Sequence, residues 1–235
     1  MFHSNDFIIR EAAGEACGFF AENINPDFLD KHKEVMPVLL KQIEDCYGQE
    51  KSSQLELSVQ KMLMALNEFV QSLEYDIVDY LEAIIKVLIM YIQDNAKFSR
   101  DTKYWALTAL STTILTSEKA IEPYSEGIFN IVGQIMQSSD EQNVKGNALM
   151  VAGRLIASCG KDKIKPEYVT TFTNFGAAHL VGESKFELKE TAITYFADLS
   201  VFLGDEGFQP YFEKVVNEIL KILAEDNDLQ DAVKN

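Results

Sequence analysis

The 235 residues include 21 basic and 37 acidic side chains, a formal net charge of −16, and are 47% hydrophobic and 25% charged. That hydrophobic share excludes intrinsic disorder. The acidity excludes binding to a phosphate backbone except through a local basic patch. The only close basic cluster, Lys161, Lys163 and Lys165, falls in what reads as one loop, so no nucleic-acid partner is expected.

Three cysteines, Cys17, Cys46 and Cys159, are far apart and odd in number, which reads as reduced, intracellular thiols. The opening MFHSNDFII has neither the basic nor the apolar region of a signal peptide. The most apolar stretch, Leu81 to Ile92, carries Glu82 and Lys86 and is too short to cross a bilayer, so no membrane association is expected. Twelve glycines and five prolines are few for this length, which favours long helices with short connections.

In chain order, the pattern predicts five helix pairs. The first pair is Asp6–Glu22 and Asp30–Asp45, the second Ser53–Leu73 and Asp76–Asp94. The third is Arg100–Ser117 and Ile121–Ser138, the fourth Glu141–Cys159 and Lys165–Val181, the fifth Ser184–Leu203 and Gly207–Glu225. The repeats therefore cover about 6–45, 53–94, 100–138, 141–181 and 184–225 of one domain, 1–235. The second helices close near residues 45, 94, 138, 181 and 225, at spacings of 49, 44, 43 and 44 residues. HEAT repeats recur at about 40–47 residues and tetratricopeptide repeats at about 34. The fold class is thus all-α, an α-α superhelix (a right-handed solenoid) of about five HEAT repeats.

Small residues in the first helices, among them Ala12, Ala13, Ala16, Gly18, Ala106, Ala109, Ala148, Ala152, Gly153 and Ala192, let neighbouring helices approach closely. In the second helix of the second pair, Ile77, Leu81, Ile84, Leu88 and Ile92 form one apolar stripe. Ser53 and Asp76 suit helix starts, Pro166 a first turn, and Gly160 and Gly204 C-terminal caps; Pro37 lies deeper in its helix. Trp105 is expected to pack beside Tyr104 in preference to acting as a stacking anchor. Phe19, Phe20, Phe69, Tyr195 and Phe196, late in first helices, are expected to belong to the core, the alternative being edges of pockets for hydrophobic peptide motifs.

No catalytic constellation is visible. His3, His32 and His179 lie in different segments, away from cysteines or paired carboxylates, and phosphate-cradling glycine loops are absent. No cofactor or metal is expected, and the chain reads as a binding protein and not an enzyme.

Arg10–Asp45 (REAAGEACGFFAENINPDFLDKHKEVMPVLLKQIED) resembles a repeat of the importin-β, or karyopherin-β, nuclear transport receptors. Val59–Asp94 resembles the following repeat of the importin 4-like branch, with Ala65, Leu66 and Phe69 in one helix and Asp79-Tyr80-Leu81 where that branch has Pro-Tyr-Leu. Glu122-Pro123-Tyr124 and Gln209-Pro210-Tyr211-Phe212 keep the proline. The resemblance covers nearly the whole chain and matches the central HEAT-repeat segment of much longer receptors. It implies first helices outside and second helices lining a concave face. It also implies basic cargo on that face, histones or ribosomal proteins among them, Phe-Gly nucleoporins outside, and shuttling between cytoplasm and nucleus. Ran GTPase would engage repeats outside this chain. The expected cargo-binding residues are the carboxylates of the second helices: Glu34, Asp45, Asp79, Glu82, Asp94, Glu122, Glu126, Glu213 and Glu218. The competing reading is a HEAT scaffold for a multiprotein assembly without a transport role.

Overall fold

The structure, a computed structural model, describes residues 6–23, 29–94, 96–138, 141–181, 184 and 186–233; His3 lies outside them. Every regular element among the described residues is helical. The α-helices are α1 (Phe7–Asn23), α2 (His32–Gly48), α3 (Ser53–Leu73), α4 (Leu81–Gln93), α5 (Arg100–Ser117), α6 (Ser125–Ser138), α7 (Gln142–Ser158), α8 (Pro166–Val181) and α9 (Phe186–Val233). The chain divides into two compact units, 1–131 and 132–235, and the division falls within α6.

In the first unit, α1 packs on α3 and α3 on α5, while α2 packs on α3 and α4. This is a ladder of first helices beside a ladder of second helices. The approach is close where side chains are small: a Cβ placed on Gly18 would sit 3.3 Å from the Ala65 Cα. The interior is built from Met36, Leu39 and Ile43 of α2, Leu66 and Phe69 of α3, Ile84 and Leu88 of α4 and Leu110 and Ile114 of α5, all wholly buried. Each side chain of this kind gains about 1.5–3 kcal/mol from leaving water.

In the second unit, α7 and α8 pack on α9. Gly204 (φ 73°, ψ 178°) interrupts α9, so the element is two helices meeting at a sharp corner. The expected break at Gly204 is therefore present, because this backbone conformation is open essentially to glycine alone.

Polar contacts between helices recur at the repeat period. Gln60 donates to Thr102 (42 residues away), Arg154 to Asp198 (44), Thr112 to Asn67 (45), Tyr47 to Asp94 (47) and Tyr91 to the Ile43 carbonyl (48). Bonds that span one repeat tie each helix pair to its neighbour in the chain, as in a repeat protein.

Two expectations about helix ends need correction. Asp76 does not start an α-helix: Glu74–Tyr80 is a 3₁₀ helix, and α4 begins at Leu81. The same happens at Glu118–Tyr124 before α6, with Pro123 inside the turn. The tighter i→i+3 winding turns the chain through the corners of these two helix pairs, and Pro123 has no N–H to satisfy there. Nor does Gly160 form a left-handed cap. Cys159 leaves α7 in an extended conformation, and Gly160 instead accepts from the Lys163 N–H at 2.9 Å. Pro37 is accommodated within α2, which a short 3₁₀ turn, Leu29–Lys31, precedes. The α3 N-terminus is capped by Ser52, whose hydroxyl accepts from Leu55 N–H at 3.1 Å.

Of the aromatic residues assigned to the core, Phe69, Tyr195 and Phe196 are buried, while Phe19 is 60% and Phe20 38% exposed. Trp105 is half-buried and meets Tyr104 edge-to-face, with centroids 5.3 Å apart.

Candidate functional site

Second helices begin with carboxylates, as the helix dipole favours. Glu34, Glu82 and Glu126 occupy the first turns of α2, α4 and α6. Asp79 and Glu122 lie just before the last two, in the 3₁₀ corners. Glu34, Asp79, Glu82 and Glu126 are exposed and Glu122 is half-buried. Thus five of the nine expected residues come to the same end of successive second helices. Glu34 is paired with Lys31 at 3.1 Å.

Asp45 and Asp94 fall at the opposite ends of α2 and α4. A helix of 13 to 17 residues separates the two ends by roughly 20–25 Å. Asp45 is paired with Lys41 at 2.6 Å. Asp94 is half-buried and already engaged by its neighbours. It accepts from the Tyr47 hydroxyl at 2.9 Å and from the Ala96 and Lys97 N–H groups at 2.8 and 2.7 Å. Burial pushes the Asp94 carboxyl up, but these three donors and the nearby Lys97 charge outweigh it and hold the group below its ordinary value. Its role here is to tie the loop after α4 to the end of α2. Beside it, Glu44 of α2 pairs with Lys86 of α4 at 2.7 Å.

In the second unit, Glu213 and Glu218 line one shallow hollow of about 580 Å³ together with Val181, Lys214 and Lys221. Glu218 is paired with Lys221 at 2.6 Å.

A second feature had only a weak signal in the sequence, the aromatics Phe19 and Phe20 late in a first helix. α1 and α3 border an apolar groove of about 630 Å³, lined by Gly14, Gly18, Phe19, Phe20, Met64 and Ala65. The Glu15–Lys61 pair, 2.6 Å apart, stands at its edge. Helical periodicity places Phe19 and Phe20 in an apolar run, and only the packing of α1 leaves them at the surface.

Among the described residues no group of three or more His, Cys, Asp or Glu side chains is placed to hold a metal ion. His32 is bonded to the Tyr80 hydroxyl at 3.0 Å, and His179 to Ser184 at 2.8 Å. Burial pushes the His179 imidazole below its ordinary value, with the Lys145 charge adding to the effect. Cys17, Cys46 and Cys159 are not joined in disulfides. No helix among the described residues is long and apolar enough to cross a membrane.

The repeated hairpins define a helical-repeat fold, of the all-α superhelix class that solved HEAT-type karyopherins display. The chain matches the crystal structure of Kap121p with a TM-score of 0.78 at 16% identity, covering 91% of this chain and 20% of that one. It matches Kap121p bound to Nup53p with the same score and identity, covering 93% and 20%. It matches importin beta with a TM-score of 0.72 at 19% identity, covering 92% and 26%. The chain thus spans about a fifth to a quarter of the length of these solved proteins. Kap121p has also been crystallised bound to the SUMO protease Ulp1p, to the extreme C-terminus of the phosphatase Cdc14p and to Ste12p. No curated protein matches the chain. The family described as importin subunit beta-1-like, TPR repeats, matches residues 53–235. This chain belongs to that importin-β family.

Proposed function

We propose that this chain is a cargo-binding segment of a nuclear transport receptor of the importin 4-like branch, and that it acts by binding and not by catalysis. The observation that carries the reading is the recurrence of carboxylates at the same end of successive second helices: exposed Glu34, then exposed Asp79 and Glu82, then half-buried Glu122 and exposed Glu126. Family membership and the protein partners crystallised with Kap121p support it.

The ligand is an extended Lys/Arg-rich segment, of the kind found in histones and ribosomal proteins. Each exposed ion pair contributes only about 0–1 kcal/mol, so affinity comes from several engaged together and weakens with salt. Asp79 and Glu82 form the centre of the site. Glu34, Asp45 and Glu218 already hold a lysine, which a cargo cation displaces. In the second unit Glu213 lines a hollow of its own, a separate contact for cargo, and in the first unit half-buried Asp94 holds the loop after α4. In such a receptor the protein moves between cytoplasm and nucleus, with Ran GTPase engaging repeats outside this segment.

The groove between α1 and α3, with its exposed Phe19, gives nucleoporin Phe-Gly segments a place to dock. The crystallised Kap121p–Nup53p complex supports a nucleoporin partner.

Fluorescence anisotropy with a labelled Lys/Arg-rich peptide tests the cargo site, at low and near-physiological salt and against an acidic scrambled control. Saturable, salt-weakened binding that is lost when Asp79, Glu82 and Glu122 become Ser supports it. No binding even at low salt removes the cargo site from this segment and leaves either the scaffold reading or a receptor segment whose cargo site lies in other repeats. Phe19→Ser with Phe20→Ser abolishes capture of a Phe-Gly peptide and leaves the basic peptide unaffected.

A further inference from the structure

The contact between α7 and the first part of α9 encloses a carboxylate in an unusual position. Asp198 is 6% exposed. Its Oδ1 accepts from Arg154 Nη1 at 2.7 Å, and its Oδ2 is buried with no hydrogen-bond partner. It fits there because residue 153 is glycine: a Cβ on Gly153 would lie 2.8 Å from the Asp198 Oδ2. Neutralisation is therefore one-sided, and the Arg154 side chain, 25% exposed, stands at the edge of the contact.

The other titratable groups nearby do not compensate. Tyr195, on the same helix, is bonded through its hydroxyl to Thr173 of α8 at 3.0 Å. Burial pushes that phenol well up, so it stays neutral. Tyr211 lies beyond Tyr195, against Phe196.

A buried carboxylate with a single charged donor commonly costs more in lost hydration than its partner returns. We propose that the α7–α9 contact is an acid-strengthened joint, in which a proton taken up by Asp198 removes a buried charge and lets the two helices hold together more firmly than at neutral pH. Consistent with the geometry, burial raises the Asp198 carboxyl to about 6 against the opposing pull of Arg154. The sign follows from linkage. A group raised in the folded state from 3.8 to about 6 contributes stability that is present in acid and lost as pH rises through about 6. Between about pH 5 and about pH 7.5 the loss is about tenfold in the closing equilibrium of the joint.

Amide hydrogen exchange of the whole chain at those two pH values, corrected for intrinsic exchange, reads this directly. Protection in α7, around Leu149 to Ile156, falls about tenfold toward neutral pH in the wild type and stays level in Asp198→Asn. An equal fall in both proteins overturns the proposal. Should Asp198→Asn fail to fold, carboxyl-carbon NMR of the wild type decides. A midpoint near 6 for Asp198 upholds the joint, and one at the ordinary aspartate value overturns it.

Discussion

The Tyr91 hydroxyl of α4 donates to the Ile43 carbonyl of α2 at 2.7 Å, with Tyr91 and Ile43 both wholly buried. It ties two successive second helices together inside the core. Tyr91 also meets Phe98 and Tyr47 edge-to-face, at 4.7 and 5.4 Å. Tyr91→Phe keeps those ring contacts and removes one buried bond. The expected cost is about 0.5–1.5 kcal/mol, measured as a lowered urea midpoint with an unchanged m-value.

Glu56 of α3 caps the next first helix, α5. Its Oε1 accepts from the Ser99 N–H at 2.5 Å and from the Thr102 hydroxyl at 3.3 Å. Burial pushes this carboxyl up, but the Ser99 and Thr102 bonds and the Lys51 charge outweigh it and hold the group below its ordinary value. A depressed carboxyl stabilises the fold above its ordinary pKa and loses that contribution as pH falls through the folded value. Glu56→Gln is thus expected to lower stability by about 0.5–2 kcal/mol at neutral pH. The difference from wild type shrinks in denaturant melts taken below about pH 4.

Three glycines separate close packing from backbone need. A Cβ on Gly153 would also meet the Tyr195 Cα at 3.3 Å, so the α7–α9 backbones must part. Gly153→Ala is expected to cost about 1–3 kcal/mol. Gly204 has open space around it but φ 73°, and Gly204→Ala costs about 1–3 kcal/mol through strain alone. Gly127 is an exposed helical glycine of α6 with nothing near it. Gly127→Ala is expected to stabilise by about 0.4–1 kcal/mol. Thermal melts of the three variants check the order.

Much of the architecture was legible in the chain. The expected ranges Ser53–Leu73 and Arg100–Ser117 coincide with α3 and α5, because apolar periodicity and serine starts agree there. The corners were not legible. Residues 74–80 and 118–124 continue the apolar pattern into the next helix, and a 3₁₀ turn bears no mark that distinguishes it from a first α-turn. The candidate cargo residues were legible only in part. Spacing along a helix reports which turn a carboxylate occupies, but not whether the folded chain has used it. Glu82 stands exposed, while Asp94, at the far end of the same helix, is consumed by Tyr47, Ala96 and Lys97.

The sequence by itself determined the repeat period, the helix pairs and the excess of negative charge, since each is a local or summed property of the residues. Tertiary structure alone decided which apolar side chains stay at the surface, as Phe19 does beside the α1–α3 groove. It alone also brought Asp198 and Arg154 together from 44 residues apart. Both depend on what the neighbouring repeat places against a helix face, and that is settled only when the repeats stack.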